Sequence, residues 1–180
     1  MRSEDKVYVS PSSKTKDIVI SGLLISMVFV ATKFINIRLP ISVNGGLIHL
    51  GNTMLFLAAI VFGKRKGAIA GACGMGLFDV VSGWMAWAPF TFVIRGIMGY
   101  IIGSIAYTKD RNGNSFLWNL VGIILSGIFM ISGYYITEGI LYGNWISPIT
   151  SIPGNITQLV VGAILGLPIA AAMKKTNMIK

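Results

Sequence analysis

Charge is scarce in this chain: Asp, Glu, Lys and Arg make up 12% of its 180 residues, against 54% hydrophobic residues. A water-soluble domain carries roughly twice that share of charge. A surface built from these residues suits lipid better than water. Acidic groups are scarcest, six against fifteen Lys and Arg, for a net charge of +9. A basic chain raises the question of nucleic acid, but the hydrophobicity argues against it. Cysteine occurs once, as Cys73, which excludes an internal disulfide. No Cys/His cluster suggests a metal, and a small helix-packing residue is the plainest reading of Cys73. Catalytic signatures are missing too. There is no G-x-x-x-x-G-K-[ST] phosphate loop, so the chain does not hydrolyse ATP by that mechanism, and neither H-E-x-x-H nor G-x-S-x-G occurs. No continuous file of acidic residues suggests proton coupling. No internal repeat, low-complexity linker or cleavable signal peptide is evident.

What the sequence does have is long apolar runs. A membrane helix needs about 20 apolar residues to cross a ~30 Å hydrocarbon core. Six runs qualify or nearly so: Ile18–Phe34, Leu47–Phe62, Gly67–Trp84, Phe90–Tyr107, Phe116–Tyr142 and Asn155–Met173. The second is short and the fifth long, which tilt or protrusion accommodates. The expected fold is all-α, an integral membrane bundle of six transmembrane helices over residues 18–173, with segments 1–17 and 174–180 at its ends. If the runs alternate in direction, twelve cations fall on one side: Arg2, Lys6, Lys14 and Lys16; Lys64, Arg65 and Lys66; Lys109 and Arg111; Lys174, Lys175 and Lys180. Cytoplasmic loops collect Lys and Arg, so both termini are expected in the cytoplasm. Small residues recur four apart, at Gly22 and Ser26, Gly67 and Gly71, Gly99 and Gly103, and Gly162 and Gly166. That spacing puts both on one helix face and allows close helix approach, within the chain or to a partner.

Polar groups inside a bilayer are costly and usually functional. With this topology, Asp79 lies about 8 Å below the outer end of the third run, and Arg95 at similar depth in the fourth. His49 and Asn52, three apart, share a face at the outer start of the second. Glu138 ends the fifth; Asn155 and Gln158 begin the sixth. The inner halves are nearly devoid of such groups, Asn119 being the main exception. The arrangement suits a pocket open to the outside, not a through-going pore. Each residue also has a plainer role. Asp79 and Arg95 can neutralise each other as an ion pair, Asn155 can be a helix N-cap, His49 can be interfacial, and Glu138 can be solvated. Trp84, Trp87 and Trp145 lie in the outer loops, with Trp118 at the opposite end. They fit either an interfacial belt or, around Trp84–Met85–Ala86–Trp87, a stacking surface for a flat ring. Ile35–Gly46, with Pro40, Asn44, Gly45 and Gly46, reads as a lid or a connector.

From Asn44 to Gly103 the chain resembles a known family. GGLIHLGNTMLFLAAIVFGKRKGAIAGACGMGLFDVVSGW is similar to the second and third helices, and IRGIMGYIIG to the fourth, of the substrate-binding S components of energy-coupling factor (ECF) transporters. The resemblance implies a membrane subunit, not an enzyme, that captures a vitamin or its precursor from outside. It implies partnership with a transmembrane coupling protein and two cytoplasmic ATPases, which use the ATP; no cofactor is expected in this chain. Gly22 and Ser26 match loosely the small-residue motif that meets the coupling protein, and Ile35–Gly46 matches the gating loop. The similar subgroup handles hydroxymethylpyrimidine or vitamin B6 compounds, with riboflavin next, in the bacterial plasma membrane. Expected ligand contacts are His49, Asn52, Asp79, Trp84, Trp87, Arg95, Glu138, Asn155 and Gln158. The competing readings are a membrane enzyme using His49, Asp79 and Glu138, and a stand-alone channel or facilitator.

Overall fold

A computed structural model describes residues 11–38 and 47–176. They form six α-helices: α1 (Pro11–Phe34), α2 (Gly51–Phe62), α3 (Lys64–Val81), α4 (Ala88–Ala106), α5 (Phe116–Tyr142) and α6 (Ile152–Lys175). Two short strands, β1 (Asn36–Arg38) and β2 (Leu47–His49), form an antiparallel ribbon between α1 and α2, with Asn36 opposite His49. Arg2, Lys6, Pro40, Asn44, Gly45, Gly46 and Lys180 lie outside the described residues, and with them most of the suggested lid.

The apolar runs became helices, with instructive differences. α5 has the predicted bounds because nothing interrupts its run before Gly143, whose φ of 63° suits a left-handed helix stop. The second run is not helical throughout. Its first three residues pair as β2, so His49 and Asn52 do not share a helix face. The ring of His49 instead meets the start of α2: its Nδ1 accepts from the Gly51 N–H at 3.1 Å, one of the donors a helix N-terminus leaves unpaired. α2 is therefore only 12 residues long, and ten of these are buried. It forms the axis of the core, around Leu55, Phe56 and Ile60. Four helical segments, in α1, α4, α5 and α6, are long and apolar enough to cross a membrane; α2 is apolar but shorter.

Glycines set the helix spacing. α3 packs most extensively on α4, where Gly99 and Gly103 lie directly on the backbone of Gly67, Ala68, Gly63 and Lys64. A methyl group at either would overlap that backbone. Gly162 similarly brings α6 onto Asn52 and Phe56 of α2. Gly22 differs: a methyl there would meet nothing within 4 Å among the described residues.

Among the described residues, Lys66, Lys174 and Arg111 make their contacts near the helix ends that the chain's connections at residues 63–66 and 108–114 join. Lys66 pairs with Asp17 at 2.6 Å. Lys174 donates to the Val61 carbonyl (3.0 Å) and to the Tyr107 hydroxyl (3.1 Å), so it closes the open carbonyl end of α2. Arg111 stacks over Trp118. Asn119, the polar exception in the inner half, holds the nearby turn by donating to the Gly113 carbonyl at 2.8 Å.

Candidate functional site

The opposite end of the bundle holds a cavity of about 110 Å³. Helical spacing explains its walls. Residues three or four apart share a face, so α3 presents Met75, Phe78 and Asp79, α4 presents Thr91 and Arg95, α5 presents Tyr134 and Glu138, and α6 presents Gly154, Asn155 and Gln158. Trp84 and Trp87 come from the α3–α4 connection, and Leu47 and His49 from β2. Of the nine expected ligand contacts, the structure brings all but Asn52 to this cavity.

Arg95 organises the base of the site. It is buried, and its Nη1 donates to Asn52 Oδ1 at 2.6 Å and to the Met130 sulfur at 2.9 Å. Its Nε donates to the Tyr134 hydroxyl at 3.0 Å, and the guanidinium lies 5.0 Å from the centre of that ring. Gln158, fully buried, faces two donors with its amide. With its oxygen turned toward them, it accepts from Arg95 Nη2 at 3.1 Å and from His49 Nε2 at 3.0 Å, and its nitrogen donates to the Leu47 carbonyl at 3.0 Å. This orientation agrees with His49. Since Nδ1 already accepts from Gly51, Nε2 carries the proton and donates. The network thus joins α2, α4, α5, α6 and the ribbon.

Four expectations need correction. Asp79 and Arg95 form no ion pair; the guanidinium is taken up by neutral acceptors arriving from α2, α5 and α6. Asp79 interacts with the Thr91 hydroxyl, and its Oδ2 is buried with no hydrogen-bond partner among the described residues. Asn155 is not an N-cap, because α6 starts at Ile152 with Ser151 in the cap position. Asn52 supports Arg95 from beneath the cavity and does not line it. Glu138 is buried, not solvated.

The tryptophans divide. Trp87 sits against Tyr134 and Tyr142, with ring centres 6.1 and 6.2 Å apart. Trp145 does not line the cavity and packs against Tyr135 and Gly139. Tyr134 and Thr91 were not anticipated, although each lies one helical turn before an anticipated residue, Glu138 and Arg95. That spacing was the available signal. Among the described residues, no group of three His, Cys, Asp or Glu could hold a metal ion.

Comparison with known proteins agrees with this architecture. The family described as ECF-type riboflavin transporter, S component, matches residues 12–175. An uncharacterized protein of Pyrococcus woesei is 34% identical over 139 residues, 77% of this chain and 90% of the relative. The thiamine precursor transporter HmpT of Lactococcus lactis is 27% identical over 164 residues, 91% of each chain. A solved structure titled as the S component of a bacterial ECF transporter superposes with a TM-score of 0.69, covering 92% of this chain and 99% of the other at 22% identity, which is a likeness of fold. The match over nearly its whole length means that this chain belongs to the family of ECF-type riboflavin transporter S components, membrane proteins that serve as transport subunits and not as enzymes.

Proposed function

We propose that this chain captures a small vitamin precursor at the cavity and hands it to a separate energy-coupling module. The observation that carries this reading is the cavity's position. Polar groups of α3, α4, α5 and α6 converge at one end of the bundle, while the core around Phe56, Ile60, Met98 and Ile102 is apolar and closed. A channel needs a polar path through that core. The membrane topology we propose has six spans with both termini in the cytoplasm, and the clustering of Lys66, Arg111 and Lys174 at the end away from the cavity supports it. The cavity then opens to the cell exterior, in the plasma membrane.

The ligand favoured is a single heteroaromatic ring of the hydroxymethylpyrimidine or pyridoxine kind, with Trp84 and Trp87 on its faces and His49, Asp79, Arg95, Glu138, Asn155 and Gln158 around it. The similarity to a thiamine precursor transporter supports a pyrimidine; the family's description keeps riboflavin as the second reading. The partners are a transmembrane coupling protein and two ATPases. The open side of Gly22, one turn from Ser26, is the proposed contact with the coupling protein. Mass spectrometry of small molecules released from the purified protein tests the ligand class. Reconstitution in liposomes, with and without a coupling module, tests the division of labour. ATP-dependent accumulation by the chain alone would overturn it.

A further inference from the structure

Among the charged groups around the cavity, Asp79 and Arg95 are differently placed to meet a ligand. Arg95 has five N–H donors, and four are directed at protein acceptors: Tyr134, Asn52, Met130 and Gln158. His49 and Gln158 are likewise committed to each other, to Gly51 and to Leu47. These groups form a structure-holding network whose hydrogen-bonding capacity is largely spent. Asp79 is the reverse case. It lines the cavity and is 8% exposed, with Thr91 beside the carboxylate and Oδ2 without a partner among the described residues.

A buried acceptor left unpaired is costly, by about 1–3 kcal/mol or more when charged. Oδ2 has no surface of its own on the cavity, so a ligand donor reaches it only as the Asp79 side chain turns toward the ligand, and that contact recovers the cost. We infer that Asp79 is the specificity-determining residue of the site, and that it selects a heteroaromatic ring with an amidine-type edge, an exocyclic amino group beside a ring nitrogen. An exocyclic N–H is a donor that a carboxylate oxygen accepts well. If the adjacent ring nitrogen is protonated, the edge presents two parallel N–H groups, the geometry by which guanidinium matches carboxylate. An oxo group at the same position instead points lone pairs at the carboxylate and leaves at most the adjacent ring N–H as a donor on that edge, a poorer match. The inference deepens the capture function proposed above and rests on the cavity being the ligand site.

The test uses the purified full-length chain in detergent and isothermal titration calorimetry. The probes are 4-amino-5-hydroxymethyl-2-methylpyrimidine, its 4-oxo counterpart, pyridoxine and riboflavin. The amino compound should bind at least about tenfold tighter than the oxo compound, because an unmatched polar contact in a buried site is rejected strongly. Asp79→Asn, which can donate to an oxo group, should reduce that preference to roughly twofold or less. Where Asp79→Asn fails to fold, Asp79→Glu stands in: it keeps the charge but moves the carboxylate by one methylene, and the amino-over-oxo ratio should fall. Equal or tighter binding of the oxo compound overturns the inference, as does a full preference surviving in folded Asp79→Asn. Binding of riboflavin or pyridoxine without either pyrimidine also overturns it and leaves the capture function standing. Binding of none of the four sinks both.

Discussion

Asn52 Oδ1 accepts from Arg95 Nη1 across 2.6 Å, and this contact ties the start of α2 to α4 directly beneath the cavity. It is short because one partner is ionised, and it lies where water does not compete, since Asn52 is completely buried. The contact makes Asn52 a support for Arg95.

Asn52→Ala is therefore expected to act on stability first. Loss of a hydrogen bond to a buried charge costs about 1.5–3 kcal/mol. The melting temperature in detergent should fall, and ligand affinity should weaken as Arg95 shifts. An unchanged melting temperature would mean that Arg95 finds another acceptor there.

Gln158 links the same guanidinium to the ribbon through Arg95 Nη2, His49 Nε2 and the Leu47 carbonyl. Gln158→Ala should lower affinity by about tenfold, a ~1.4 kcal/mol effect. It should also speed amide hydrogen exchange at Leu50, whose N–H bonds to the Ile35 carbonyl at the ribbon's base. Slow exchange retained at Leu50 would mean that the ribbon is held without α6.

The helices were legible in the sequence and the ribbon was not, for a physical reason. Phe116–Tyr142 is a long, proline-free and mostly apolar run with a glycine stop, so length and hydropathy define it. Leu47–His49 is too short for a period-2 pattern to register, and its apolar character merged with α2. The site was legible as depth: Asp79, Arg95, Glu138 and Gln158 stand at matching levels on helices of alternating direction. Partner choice was not legible. Opposite charges at one depth suggested an Asp79–Arg95 pair. The convergence of Asn52, Tyr134 and Gln158 from three other helices on Arg95 depends on helix rotation, which spacing along one run does not encode.

Gly99 tests the packing that fixes those rotations. It lies directly on the backbone at Gly67 and Ala68. Gly99→Val should cost about 1–3 kcal/mol or more, as added volume forces α3 and α4 apart. Gly22→Val meets open space and should leave stability of the isolated chain unchanged. If the proposed partner face is right, it should nevertheless weaken co-purification with the coupling protein. A drop in stability from Gly22→Val alone would move that face into the chain's own packing.

Trp84 and Trp87 both line the cavity, but Trp87 is also wedged between Tyr134 and Tyr142. Aromatic pairs of this kind contribute roughly 0.5–1.5 kcal/mol beyond buried area. Trp87→Ala should therefore lower melting temperature and affinity together. It also removes a neighbour of Tyr134, which accepts from Arg95, so the loss extends to the base of the site. Trp84→Ala should weaken ligand binding, as its ring is the proposed stacking face. Trp84→Phe, which keeps a flat face, should restore most of the affinity. Calorimetric titration of each variant, beside its thermal melt, separates the roles. Undiminished affinity in folded Trp84→Ala would assign that ring to the membrane interface, and the ligand's flat contact would then fall to Phe78 and Trp87 on the neighbouring walls.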